Sequence, residues 1–159
     1  MPISIVASVD PASNRVDATT AGGRPISMDA DPPEGDGVLP GPKETLLAAL
    51  AGCTSMDVAS ILRKKRQVAD SYEIAVDGDS AAEHPRVFTA IRIEHRVRGE
   101  VEVEALRRSI ELSATRYCPV NATLSAVATI EHRYRLTDAT GAEHEALVAV
   151  TGPTGNRVL

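Results

Sequence analysis

Residues 43–66 constrain this chain more than any other segment. Leu46, Leu47, Leu50, Cys53, Thr54, Asp57, Val58, Ile61 and Leu62 recur near the 3.6-residue period of a helix. Within that stretch, Ala48-Ala49-Leu50-Ala51-Gly52-Cys53 is apolar on nearly every side. A helix of this kind needs cover all round, more than one small sheet can give it. Pro42 suits the first turn, where its missing N–H costs nothing. Arg63-Lys64-Lys65-Arg66 falls in the last turn, where cations complement the helix dipole.

Around that helix the pattern is of strands. Residues 3–9, 15–18 and 26–28 read as three short ones, with Gly22-Gly23 as a turn signal. Residues 29–41 are rich in Pro, Gly and Asp and read as a loop. After the helix, residues 72–76 and 88–98 read as strands. In the second, Ile91, Ile93 and Val97 keep one phase, while Phe88 and Ala90 fall outside it. Residues 102–115 have helical spacing and 121–125 suit one helical turn. Residues 126–136 read as a strand with Ala128, Ile130, Tyr134 and Leu136 on one face. The order predicts an α+β fold, with residues 1–137 as a single domain and 138–159 as a weakly ordered tail.

Composition narrows the function classes. Aromatic residues make up 3% of the chain and Trp is absent, so the core is aliphatic and stacking platforms for nucleic acid are not expected. A net charge of −5 argues against nucleic acid and anionic membranes as partners. No apolar run is read as long enough to span a bilayer. The start Met1-Pro2-Ile3-Ser4-Ile5-Val6 lacks the basic region and cleavage site of a signal peptide. A cytoplasmic location is the expectation. His84, His95, His132 and His144 are scattered, with no i,i+4 pair, so no metal site is expected from them; His95 and His132 are read onto strand faces.

The chain has two cysteines. Cys53 closes the apolar helical stretch, and Cys118 stands just before Pro119. They are too far apart in sequence for a zinc knuckle or a CxxC redox motif. The ordinary fate of an intracellular free cysteine is that of a small buried hydrophobe. The alternative is a reactive thiol with a resolving partner. Asp57 follows Cys53 at i+4 on the same helix face, either as a buried polar partner or facing solvent. An unpaired carboxylate there raises the thiol pKa and opposes activation.

Three segments, in order, resemble the family of osmotically inducible protein C (OsmC) and organic hydroperoxide resistance protein (Ohr). Gly22-Gly23-Arg24 resembles the family's glycine-glycine-arginine turn. Pro42 with Leu46, Ala48, Ala49 and Cys53 resembles its proline-to-cysteine helix. Cys118-Pro119-Val120-Asn121-Ala122-Thr123 resembles its second-cysteine motif. The resemblance spans residues 22–136 and lies nearer the OsmC-like branch than Ohr itself. It implies antiparallel sheets around a long central helix in an intertwined homodimer. It also implies a thiol-dependent peroxidase that reduces organic hydroperoxides without cofactor or metal. Cys53 corresponds to the peroxidatic cysteine, Cys118 to the resolving cysteine, and Arg24 to the arginine that holds Cys53 as thiolate with a depressed pKa. The two cysteines are then expected within disulfide reach. The family's thiol reductants include dihydrolipoyl groups. Bulky peroxides are expected to be preferred where Leu46, Leu50 and Ala49 line an entrance.

One position departs from the family. Its active-site glutamate follows the helix proline directly, where this chain has Lys43; Glu44 comes next and is the candidate to replace it. The rival reading from another class is an OsmC-like dimer that binds a small apolar ligand or senses oxidants without turnover.

Overall fold

The computed structural model describes residues 2–159. The chain is α+β, with element order βββαββα(π)αβββ, and divides into two compact units, Met1–Leu46 and Leu47–Leu159. Residues 138–159, expected as a weakly ordered tail, carry two strands.

The first unit is an antiparallel meander of β1 (Ile5–Val9), β2 (Val16–Thr20) and β3 (Pro25–Met28). The β2–β3 turn is built on Gly23, whose φ of 75° is open to glycine and costly to other residues. The Gly23 amide donates to the Thr20 carbonyl, and the Arg24 amide donates to Thr20 Oγ1 at 3.1 Å. The loop that follows is ordered around the buried Asp29, whose carboxylate accepts from the Ala30 and Val38 amides.

α1 (Pro42–Lys64) is one uninterrupted helix. At 23 residues and a mean hydropathy of 1.6 it is long and apolar enough to cross a bilayer, against the expectation that no run here is. Its buried residues are Leu50, Thr54, Val58 and Leu62, a single stripe at four-residue spacing. That stripe is committed to the protein core, as a core helix requires. Ala48, Ala49, Met56 and Ala59 face outward, and Met56 is 73% exposed.

The second unit carries a five-stranded sheet in the order β4-β5-β6-β7-β8. The strands are β4 (Val68–Ser80), β5 (Phe88–Glu100), β6 (Thr129–Asp138), β7 (Glu143–Thr151) and β8 (Arg157–Val158). β5 and β6 run parallel, so the sheet is mixed and not purely antiparallel. The crossover between them is α2 (Val103–Leu112), a π-helical turn (Ser113–Tyr117) and α3 (Pro119–Leu124); parallel neighbours need a connection of this length. One face of the sheet is buried. Ile91, Ile93 and Val97 of β5 and Ile130, Tyr134 and Leu136 of β6 lie there with Val58, Leu106 and Ile110. Phe88 is buried too, although its sequence phase is wrong. A bulge, in which Asp79 pairs Ala90 and Ser80 pairs Phe88, resets the alternation. The other face is a lattice of charge pairs, including Arg92 with Asp77 and Asp79, and Arg96 with Glu73 and Glu94. β4 runs well beyond the expected 72–76, and Asp77 and Asp79 lie in its added C-terminal part.

The tail is the clearest correction. β7 pairs along β6 with a bulge between His132 and Arg133, where Val148 is skipped. The bulge puts Val148 and Ala149, adjacent in sequence, both at 0% exposure. No strand alternation survives such a break, which is why the segment looks unpatterned. We predict that a chain ended after Thr137 loses cooperative urea unfolding, since it strips β7 from β6 and uncovers Leu136. An unfolding midpoint equal to that of the full chain contradicts this.

Candidate active site

Cys53 lies on α1 one residue ahead of Thr54, and Asp57 one residue ahead of Val58. A helix turns by about 100° per residue, so both functional groups sit on the flank of the buried stripe and are half-buried. Cys118 caps α3 from the opposite side. Its backbone is extended (φ −74°, ψ 104°), Pro119 fills the first helical position, and its sulfur accepts the Asn121 amide at 3.3 Å. Thr54 Oγ1 donates to the same sulfur at 3.5 Å. Cys118 is 3% exposed.

The fold thus brings together groups far apart in sequence. The sulfurs of Cys53 and Cys118 and a carboxylate oxygen of Asp57 all lie within 4.8 Å of one another, and both thiols are free. Asp57 is held by Ser113, whose hydroxyl donates to Oδ2 at 3.0 Å. A cleft of about 480 Å³ lined by Asp57, Ser60, Ile61, Lys64, Leu112 and Tyr117 opens beside them.

Arg24 and Glu44 belong to the first unit. Arg24 is exposed in the β2–β3 turn. Glu44, in the first turn of α1, accepts the Gly41 amide at 2.8 Å, so its carboxylate works as a helix-capping group. Lys43 is exposed. Leu50 is fully buried and lines no entrance.

The electrostatics of the second unit run against the expected thiolate. Burial pushes the Cys53 thiol up to about 11, and hydrogen bonding to Cys118 and the negative charge of Asp57 add to it. The Val120 amide acts in the opposite direction and is outweighed. Within the second unit, the surroundings of Cys53 act against the depressed pKa expected for it.

Sequence reasoning missed a buried polar network behind Cys118. The Asn121 side-chain amide donates to the Ala114 carbonyl at 2.8 Å and to Thr151 Oγ1 at 3.2 Å. Its oxygen is therefore left to accept, and His132 Nε2 meets it at 2.9 Å. His132 thus carries its proton on Nε2. His95, stacked on His132 with ring centroids 6.3 Å apart, hydrogen-bonds through Nδ1 to the Tyr72 hydroxyl at 2.6 Å. Both imidazoles are completely buried, and among the described residues His95 Nε2 and His132 Nδ1 have no partner. Two signals were present in the sequence. Asn121 stands at the spacing where a cap meets the first helical turn, and both histidines fall in phase with the apolar faces of their strands.

Comparison with known proteins identifies the family. Residues 35–133 match the family model described as OsmC-like protein. The curated Protein YhfA of Escherichia coli K12 is 36% identical over 118 residues, 74% of this chain and 86% of that protein.

The chain belongs to the OsmC-like family.

The matched span holds both cysteines and Asp57; Arg24 lies outside it. Among solved structures, a hypothetical protein from Aquifex aeolicus superimposes with a TM-score of 0.77 at 25% identity, covering 87% of this chain and 98% of that one. The organic hydroperoxide resistance protein OhrB of Bacillus subtilis shares the OsmC fold at a TM-score of 0.61 and 12% identity, covering 84% of this chain and 98% of that one.

The buried histidines make stability pH-dependent. Burial lowers His95 from 6.5 to about 3, with His132 adding to the effect, and lowers His132 from 6.5 to about 4. Above 6.5 both are neutral whether folded or unfolded. Below it the unfolded chain takes up protons that the fold refuses, so stability falls as pH drops from 6.5 toward 3. Each pH unit in that window costs about 1.4 kcal/mol per refused proton. His132→Gln, which retains a donor for Asn121, is expected to shrink the stability difference between neutral and acidic pH in urea titrations. An unchanged difference contradicts the assignment.

Proposed function

We propose that this chain is a thiol-dependent peroxidase that reduces organic hydroperoxides, with Cys53 as the peroxidatic and Cys118 as the resolving cysteine. The observation that carries the reading is the approach of two free thiols within 4.8 Å, one half-exposed on α1 and one buried behind it. The Cys53 thiolate attacks the terminal oxygen of the hydroperoxide. A sulfur–oxygen bond forms, the O–O bond breaks, and the alcohol leaves with a proton. Cys118 then attacks the Cys53 sulfur, a disulfide forms and water leaves. An external thiol, such as a dihydrolipoyl group, returns both sulfurs to thiols by exchange. The second sulfur needs only a modest approach, since a disulfide bond is about 2.05 Å long.

A neutral thiol is a poor nucleophile, so the reaction needs a positive charge that the residues around Cys53 in the second unit do not provide. Arg24 is the proposed source, being permanently charged. Asp57 opposes it, and Glu44 is proposed only as an indirect contributor through its cap on α1. The reactive form is proposed to be a cytoplasmic homodimer joined through the outward face of α1. The small residues there allow close approach, and the Cβ direction at Gly52 is open space. A monomer in light scattering at micromolar concentration contradicts the dimer.

The raised Cys53 pKa favours a second reading, in which the protein binds a small apolar ligand or senses oxidants without turnover. Stopped-flow peroxide consumption against pH separates the two. The peroxidase reading expects an inflection below the roughly 8.5 of a free thiol. Arg24→Ala should move it toward about 11, the position set by burial and hydrogen bonding to Cys118 with Asp57 adding to them, and Asp57→Asn should move it down. Consumption that Cys53→Ser leaves unchanged rejects the peroxidase.

A further inference from the structure

We propose that Cys53, Asp57 and Cys118 form a binding site for one thiophilic divalent cation of the zinc class, with a fourth position open to water. The inference goes beyond the peroxidase reading and does not depend on it.

The ligand atoms are already gathered. Two sulfurs and a carboxylate oxygen lie within 4.8 Å of one another. In a tetrahedral zinc site, metal–sulfur bonds of about 2.3 Å and metal–oxygen bonds of about 2.0–2.2 Å set ligand separations of about 3.5–3.8 Å. Cys53 and Asp57 are one turn apart on α1, the i,i+4 spacing by which helical ligand pairs chelate a metal. Cys118 supplies the third ligand from the α3 cap, across the core.

The groups behind the ligands are also in place. The Ser113 hydroxyl donates to Asp57 at 3.0 Å. The Asn121 amide at 3.3 Å and the Thr54 hydroxyl at 3.5 Å fix Cys118. Asn121 is itself tied to His132 and to the Ala114 carbonyl. Outer partners of this kind orient metal ligands and tune their affinity. The donor set also selects the ion. Two thiolates with a single carboxylate suit zinc-class metals, whereas calcium and magnesium demand mostly oxygen. The half-buried Cys53 and Asp57, with the cleft lined by Asp57 and Tyr117, leave the site open to solvent ions.

Charge bookkeeping favours the ion. Coordination takes both cysteines as thiolates, their two protons passing to solvent. Asp57, which repels a lone Cys53 thiolate, becomes a ligand beside a divalent charge. A bound ion occupies both sulfurs, so metal and disulfide exclude one another.

The test is anaerobic titration of the reduced full-length protein with Co²⁺ as a spectroscopic probe, followed by Zn²⁺. We expect thiolate-to-cobalt charge-transfer absorption that saturates at one Co²⁺ per chain and is bleached by Zn²⁺. Cys53→Ser and Cys118→Ser should each remove about half of the band. Asp57→Asn, which keeps both thiols, should weaken Co²⁺ binding by tenfold or more. Thermal unfolding of each variant identifies any that fails to fold. Absence of charge-transfer absorption at saturating Co²⁺, or a band that a well-folded Cys118→Ser leaves intact, overturns the proposal. Neither readout involves peroxide, so it is separable from failure of the peroxidase reading.

Discussion

The seating of one α1 stripe on the sheet governs this structure. Leu50, Thr54, Val58 and Leu62 face inward at four-residue spacing, and three of them are fully buried. That seating fixes the rotation of the helix about its own axis. With the rotation fixed, Cys53 and Asp57 must emerge together on the flank, each one position ahead of a stripe residue. Thr54, the polar member of the stripe, is tolerated because its hydroxyl reaches Cys118. A rotation of the helix by one residue would carry Asp57 into the apolar cluster at the place of Val58 and Cys53 to the place of Thr54.

Asn121 is the second point on which the site depends. Its backbone amide holds the Cys118 sulfur, and its side chain satisfies Ala114, Thr151 and His132. The neighbouring π-helical turn delivers the chain to Cys118, and such turns commonly mark functional positions. The network is buried and polar, which makes it costly to disturb. The same burial keeps both histidines neutral at ordinary pH. Acid sensitivity is a consequence of how Cys118 is held.

Much of this was legible from the residues. Pro42 and the basic run at 63–66 bracket α1 to within two residues, and the apolar phases of residues 88–98 and 126–136 mark the buried sheet face. The rest was hidden for physical reasons. Bulges at Thr89 and Val148 break the alternation by which strands are recognised, so Phe88 looked misplaced and β7 looked like tail. The C-terminal end of β4 is hidden because Asp77 and Asp79 hold it through ion pairs across the sheet, which carry no apolar signature. The parallel pairing of β5 and β6 depends on where α2 and α3 return the chain, and no local residue encodes that. The two cysteines could be matched to motifs, yet the balance of burial and charge at Cys53 needed its neighbours in space. The i,i+4 spacing puts Asp57 on the Cys53 face of the helix, and the fold brings its carboxylate within 4.8 Å of both sulfurs.

The site therefore combines a gathered pair of thiols with surroundings that hold Cys53 as a thiol. The account stands on those two sulfurs reacting as a pair. Mass-spectrometric mapping after one equivalent of cumene hydroperoxide per chain tests this most directly. The account predicts loss of both thiols and a single intrachain Cys53–Cys118 disulfide. Two free thiols after full exposure, or only an irreversibly oxidised Cys53 beside an untouched Cys118, contradicts it.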